Sequence, residues 1–176
     1  MLTKLASRLE AVTALLGQVA AFAILALVLL VTTNVLLRYF FRTGSVWSQE
    51  LEWHLMAPIA LFAIPYTLMK GDAVRVDVLY ERFSGRTRLL LDIFAGIVGM
   101  AVAFLLLKYS IPYVEKSWMN GEGSPDPGGL PARYLLKAIL PIGFAALFCQ
   151  QLAQVIANCA RLSGAVYPAD TDKSDP

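Results

Sequence analysis

Long apolar runs separated by short polar stretches dominate this chain of 176 residues. Uncharged apolar runs cover residues 12–37 and 138–160, and a helix of about 20 such residues crosses the hydrocarbon core of a bilayer. Two weaker runs occupy residues 53–69, which contain His54 and two prolines, and residues 89–107, which contain Asp92. We expect all four to span, because their apolar stretches otherwise have no core to enter.

The composition supports a membrane location. The chain is 57% hydrophobic and 16% charged, whereas soluble domains are about 45–50% apolar and about 25% charged. A formal net charge of +2 argues against a nucleic-acid partner. The predicted fold class is an all-α integral membrane protein: one four-helix domain over residues 1–166 with short interfacial helices, followed by a disordered cytoplasmic tail over residues 167–176.

The distribution of basic residues predicts the orientation. Four spans place both termini on one side of the membrane, and that side collects more Lys and Arg, including the basic run at residues 82–88. The positive-inside rule therefore predicts that both termini are cytoplasmic. All three tryptophans then fall on the outer side, where indole rings favour the interface.

Residues that could carry catalysis are scarce. His54 is the single histidine and no Cys-x-x-Cys spacing occurs, so the sequence predicts no metal or haem site and no cofactor. Asp92 lies near one end of its span, close to Arg86 and Arg88. This placement favours local pairing over an ion relay. We do not expect an enzyme.

The stretch after the first span is richer in polar and aromatic residues. Asn34 and Arg38 are four residues apart and share a helix face, and the sequence continues to Trp47, Glu50, Glu52 and His54. We predict Ser48 as a helix N-cap, with the carboxylates in the first turn. Two interpretations stay open: the carboxylates pair with Arg38 or Arg42, or the cluster docks another protein.

Two connections between spans carry further candidates. Residues 74–78 alternate valine with Arg75 and Asp77, a pattern that predicts a segment lying on the cytoplasmic leaflet and contacting membrane lipids. Residues 120–131 are rich in Gly and Pro and cannot form one helix. We expect an exposed, rigid loop that positions Arg133 and Lys137 at the start of the last helix.

Helix–helix contacts are predicted on the last two spans. Ala95, Gly99 and Ala103 recur at four-residue steps on the third span, which permits close approach of another helix. The fourth span carries three amides at the same spacing: Gln150, Gln154 and Asn158. Amides are costly against lipid, so we expect them to face protein, in this chain or in another.

In order and spacing, these elements resemble the small, Q-type membrane subunit of tripartite ATP-independent periplasmic (TRAP) transporters. The resemblance rests on Asn34 with Arg38-Tyr39-Phe40, on Trp47, Glu50 and His54, on residues 74–78, and on Gly128-Gly-Leu-Pro131 with Lys137, Pro141 and Gln150. Many members have a histidine before the valine-arginine-valine-aspartate element, where this chain has Ala73. A role tied to that imidazole is therefore in doubt.

The resemblance implies an accessory permease subunit in the bacterial inner membrane. Its expected partners are a large multi-spanning permease, which carries the substrate and sodium sites, and a periplasmic binding protein that delivers an organic acid. The small subunit is expected to brace the large one. In this interpretation Arg38, Trp47, Glu50 and Glu52 hold the outer side or meet the binding protein, while Arg75 and Asp77 shape the cytoplasmic surface.

Two other classes of protein compete with this interpretation. A self-sufficient, homo-oligomeric small transporter or channel predicts an acid deep within a span, whereas Asp92 lies near an end. A membrane anchor subunit of a redox complex predicts two axial haem ligands, whereas His54 stands alone. Transport by the purified chain alone would favour the first of these classes.

Overall fold

The structure is a computed structural model that describes residues 2–71 and 83–163, with side chains described from Ala6 onward. The segment at residues 74–78, with Arg75 and Asp77, lies outside the described residues. The same holds for the interfacial helices expected there and for the tail at residues 167–176. Predictions on these segments stay predictions.

The described residues form four helices: α1 (Leu2–Phe41), α2 (Val46–Lys70), α3 (Gly85–Met119) and α4 (Arg133–Leu162). Each contains one predicted apolar run and extends beyond it at both ends. At about 1.5 Å per residue, the 40 residues of α1 exceed what a hydrocarbon core of about 30 Å requires. Helical structure therefore continues past the apolar runs into the polar flanks.

The helices run alternately up and down. α1, α2 and α4 pack against one another, and α3 packs chiefly against α4. At one end, which we call the terminal end, Ala6 near the start of α1 packs on Ala153 and Ala157 of α4. The opposite end, which we call the clasp end, joins α1 to α2 through residues 42–45 and α3 to α4 through residues 120–132. The start of α1 and the end of α4 thus lie at the same end of the bundle.

Small side chains form the helix contacts. The buried residues of α3 recur every seven positions, and they are Gly96, Ala103, Ser110 and Ser117. On α4 they recur at steps of three and four, through Gly143, Ala146, Gln150, Ala153 and Ala157. This spacing places a seam of small residues along each helix, which lets backbones approach closely. The predicted stripe was right for Ala103 but wrong for Ala95, which is exposed; Gly96, one position on, lies in the seam.

Three helices are long and apolar enough to cross a membrane: α1 over Ala6–Phe41, α3 and α4, among the described residues. The α2 helix is continuous through Pro58 and Pro65. It is less apolar than the other three helices because its prolines, His54 and Lys70 interrupt the apolar residues. The helical fold class is confirmed, and a fourth span in α2 stays a prediction.

Candidate functional site at the clasp end

The carboxylate of Glu50 joins α2 to the loop between α3 and α4. Glu50 is only 6% exposed. Its Oε1 accepts a hydrogen bond from the Ser124 hydroxyl, and its Oε2 accepts one from the backbone N–H of Leu130 at 2.5 Å. Gly129 lies so close that a Cβ there would sit 2.7 Å from Glu50 Oε2 and 2.5 Å from Ser124 Cβ. A glycine at this position is therefore part of the contact.

A second carboxylate, Glu122, joins the loop to both of its helices. It accepts a hydrogen bond from the Ser117 hydroxyl at the end of α3 at 2.6 Å, and it forms an ion pair with Lys137 in the first turns of α4. Its backbone carbonyl accepts the N–H of Arg133 at 2.8 Å. Glu122 thus connects the loop to Arg133 and Lys137, the two basic residues that were expected to follow it. We call this set of residues the clasp: Glu50, Ser117, Glu122, Ser124, Leu130 and Lys137.

Hydrogen bonds to the charged forms favour ionised carboxylates in the clasp. The Ser124 hydroxyl, and next the Leu130 N–H, lower the pKa of Glu50 below its ordinary value, against an opposing effect of burial. Lys137, and next Ser117, lower the pKa of Glu122 in the same way. Both groups therefore act as hydrogen-bond acceptors for the surrounding donors at neutral pH.

Two further hydrogen bonds lie beside the clasp, one between α1 and α2 and one within α2. The Asn34 side-chain amide donates to Glu52 Oε1 at 2.7 Å, and His54 Nδ1–H donates to the Glu50 backbone carbonyl at 2.7 Å. Neither Glu50 nor Glu52 forms an ion pair with Arg38 or Arg42 in the described part of the chain. The ion pair expected between these arginines and carboxylates was wrong. The carboxylates instead accept hydrogen bonds from neutral donors: the Asn34 amide of α1, and the Ser124 hydroxyl and Leu130 N–H of the loop.

The start of α2 also differs from the prediction. The helix begins at Val46, and Ser45 rather than Ser48 occupies the N-cap position without a capping hydrogen bond from its side chain. Instead, the Ser45 hydroxyl donates to the Ser48 hydroxyl at 2.7 Å, which in turn donates to the Ser45 carbonyl at 3.0 Å. Ser48 therefore lies within the first turn of α2 rather than before it. Glu50 lies further along the helix than predicted, at the level of the loop at residues 120–132.

Aromatic side chains surround the clasp end and remain open to the outside. Trp47, Trp53 and Trp118 are 50%, 60% and 64% exposed. Trp118 also contacts the Tyr134 ring edge-on, at 4.5 Å between centroids. Arg38 is exposed and has no hydrogen bond or ion pair within residues 2–71 and 83–163. The Glu50 carboxylate is thus buried while the tryptophans and Arg38 are exposed.

The amide stripe of α4 lies inside the bundle of this chain. Gln150 and Asn158 are buried, and Gln154 donates its side-chain amide to the Leu68 carbonyl of α2 at 3.1 Å. Asn158 Oδ1 accepts from Arg161 at 3.2 Å. Gln150 Oε1 is buried without a hydrogen-bond partner in the described chain. Of the three amides, Gln154 therefore bonds α4 to α2.

Sequence reasoning missed several residues that carry the site. Three residues of the clasp were not predicted as site residues: Ser117, Glu122 and Ser124. The signal that the sequence offers for them is Glu122, an acidic residue between two glycines. Gln151 also escaped notice, although its side chain lies against Gly99, where a Cβ would sit 2.7 Å from its Nε2. It directly follows Gln150, so a search at four-residue steps passed over it.

The arrangement suits a structural role. Among the described residues, no three His, Cys, Asp or Glu side chains are close enough together to hold a metal ion. The carboxylates of the clasp are occupied by hydrogen bonds from the chain itself. Long apolar helices of this kind define an integral membrane protein, and the clasp joins its helices at one end.

Comparison with known proteins gives the family. The profile for the DctQ component of the tripartite ATP-independent periplasmic transporters matches residues 27–161. The match covers more than half of the chain and reaches from α1 to the end of α4. The chain belongs to this family and is a Q-type, small permease subunit of a TRAP transporter.

Two curated relatives agree with this placement. The chain is 28% identical over 159 residues to the C4-dicarboxylate TRAP transporter small permease protein DctQ of Vibrio cholerae serotype O1, covering 77% of this chain and 68% of the relative. It is 26% identical over 153 residues to the isethionate TRAP transporter permease protein DctMQ of Oleidesulfovibrio alaskensis, covering 84% of this chain. The chain spans only 23% of the length of that second relative.

Proposed function

We propose that this chain is the small accessory permease subunit of a sodium-coupled, binding-protein-dependent secondary transporter for organic acids, and that it braces a large permease subunit. The observation that carries the proposal is the family match, which extends over residues 27–161 and includes the clasp. The names of the two relatives, for isethionate and for C4-dicarboxylate, support an organic acid as the substrate. Sodium coupling rests on the family resemblance.

A large partner is supported by the DctMQ relative. Its name joins an M and a Q component, and this chain matches about a quarter of it, 23%. The outward surface of α1 and α3 agrees with such a partner or with lipid, because large apolar side chains such as Phe22, Leu29, Phe94 and Phe104 are all at least half exposed. We propose that part of this surface contacts the large subunit within the inner membrane.

We further propose four spans with both termini in the cytoplasm. With four spans, nine of the 15 Lys and Arg residues of the sequence fall on the side of the terminal end and six on the side of the clasp end, and the positive-inside rule assigns the richer side to the cytoplasm. The clasp end then faces the periplasm, where the exposed tryptophans Trp47, Trp53 and Trp118 are available to the binding protein. Labelling of single cysteines placed at Gly123 or Ser163 with an impermeant thiol reagent, in a background without native cysteines, tests this orientation directly.

Co-purification tests the proposed function. A tagged copy of this chain, co-expressed with the large TRAP permease of the same genome, is expected to elute with it as one stable complex in size-exclusion chromatography. A control with an unrelated four-helix membrane protein carrying the same tag should retain no permease. Elution of the chain alone as a homo-oligomer, with no permease retained, would contradict the proposal and favour a self-sufficient transporter.

A further inference from the structure

An open groove lies at the clasp end, and its lining includes neither of the clasp carboxylates. It is formed by the last turns of α1, residues 43–45 of the connection and the first turn of α2, with a volume of about 290 Å³. Its polar lining includes Asn34, Arg38, Ser45, Trp47, Ser48 and Gln49. The clasp and the amide stripe do not use this groove.

The groove holds one positive charge without an internal counterpart. Arg38 lines it, and within residues 2–71 and 83–163 its guanidinium has no hydrogen bond or ion pair. The nearby carboxylates form no ion pair with Arg38: Glu52 accepts a hydrogen bond from Asn34, and Glu50 accepts hydrogen bonds from the loop. A guanidinium presents a planar set of donors that matches phosphate oxygens. The groove is therefore complementary to an anion of this geometry.

The surroundings of the groove match the headgroup level of a membrane. Arg38 follows directly after the apolar run that ends at residue 37, and the next residues, Tyr39, Phe40 and Phe41, are 79%, 69% and 70% exposed. Aromatic side chains favour this depth. One turn further into the apolar run, Val35 presents a 60% exposed side chain. A molecule with a phosphate in the groove would thus have its acyl chains beside an apolar surface.

We propose that this groove binds the phosphodiester headgroup of a membrane phospholipid, with Arg38 as the residue that contacts the phosphate and Trp47 as a wall of the site. The occupant is a lipid because the cationic groove continues into the exposed apolar surface of α1. The acyl chains of a lipid would cover that surface, whereas a free phosphate would make no contact with it. The site depends only on this chain and on its location in a membrane, so it stands independently of the transport proposal.

Native mass spectrometry of the full chain, released from detergent after incubation with phosphatidylglycerol, tests the proposal. We expect bound lipid on the unaltered chain and at least about a tenfold weaker affinity for Arg38→Gln, which removes the charge and preserves much of the length. Arg42→Gln is the matched control, because Arg42 is an exposed arginine outside the groove lining. Arg38→Lys should retain part of the affinity.

Two further comparisons make the outcome decisive. Diacylglycerol, which lacks the phosphate, should bind no better to the unaltered chain than to Arg38→Gln, and circular dichroism should show equal helix content in all variants. Equal phosphatidylglycerol affinity for Arg38→Gln and Arg42→Gln would overturn the proposal. Displacement of the lipid by glycerol 3-phosphate at comparable concentration would overturn the choice of a lipid, since the headgroup alone would then suffice.

Discussion

At the clasp end, carboxylates on α2 and on the loop receive hydrogen bonds from donors far away in the sequence, whereas at the terminal end the small side chains of Ala6, Ala153 and Ala157 pack closely against one another. The middle of the bundle resembles the terminal end, with Gly143 of α4 against Leu61 of α2. The two regions therefore hold the same helices by different means. The difference follows the expected surroundings, since close packing of small residues suits lipid and directed hydrogen bonds suit a loop outside it.

Breaking the packed seam should have the largest effect. Ala103 is completely buried on α3, and Ala103→Leu forces three extra carbon atoms between α3 and α4. Overpacking of this kind costs about 1–3 kcal/mol, measured as the free energy of unfolding in mixed detergent micelles. Ala101→Leu on the exposed face of the same helix is the control and should change little. Equal losses for the two variants would show that the seam does not hold α3.

A substitution that disrupts the clasp should destabilise the clasp end and leave the terminal end unchanged. Gly129→Ala places a Cβ 2.7 Å from Glu50 Oε2, so either the carboxylate or the loop must move. Hydrogen exchange of the Leu130 amide, which donates to Glu50, should become at least about tenfold faster. Exchange in α4 near Ala153 should stay unchanged.

The control for this variant lies in the same loop. Gly123→Ala meets nothing within 4 Å and should leave the exchange of Leu130 unaltered. If Gly129→Ala also leaves the Leu130 amide protected, the clasp does not hold the loop and the contrast between the two ends fails.

The clasp should also make one end of the bundle sensitive to acid. The pKa values of Glu50 and Glu122 are lowered in the folded chain. Their contribution is therefore fully present above the unfolded glutamate pKa of about 4.3 and is lost as the pH falls through the lowered folded values. Between pH 7 and pH 3, hydrogen exchange corrected for its intrinsic pH dependence should accelerate in residues 120–131 and not at Ala153.

Removing the carboxyl group should remove this response. Glu50→Gln cannot ionise, so it should show faster loop exchange already at pH 7 and a smaller change on acidification than the unaltered chain. Glu115→Gln, an exposed acid near the end of α3, should behave like the unaltered chain. A pH response that persists in full in a Glu50→Gln, Glu122→Gln double variant would assign the acid sensitivity to other groups.

The smallest effect is expected from the amide stripe. Gln154→Leu removes one side-chain hydrogen bond to the Leu68 carbonyl, and such bonds between membrane helices are worth about 0.6 kcal/mol on average. Gln18→Leu, at an exposed position of α1, removes an amide without a bond across the bundle and should cause no loss of stability in the same unfolding assay. A loss as large as that of Ala103→Leu would mean that polar contacts also dominate the middle of the bundle.

The sequence predicted the helices well because apolar runs of this length have few alternatives. Residues 12–37 and 138–160 lie inside α1 and α4, and the turn residues at 120–131 correctly excluded a continuous helix. The helix ends were less predictable. Polar flanks such as residues 108–119 have no apolar run, yet α3 continues through them to Met119, and Ser45 rather than Ser48 precedes α2 because the two hydroxyls bond to each other.

The site was predictable only in part. Glu50 and Lys137 were named as candidates, but their partners are not deducible from local spacing, since Glu50 bonds to residues 74 and 80 positions later. The contacts proposed from proximity, between Arg38 or Arg42 and the carboxylates, failed for the same reason. Long-range pairing depends on how four helices pack, and the sequence pattern specifies which face is buried more readily than which neighbour it meets.

Uptake into proteoliposomes tests the central claim most directly, namely that this chain works as a small permease subunit and depends on a large one. Vesicles contain this chain alone, the large permease alone, or both, each with the binding protein, a labelled organic acid outside and an inward sodium gradient. The account predicts accumulation only in vesicles that contain both subunits. Accumulation in vesicles that contain this chain alone would contradict it.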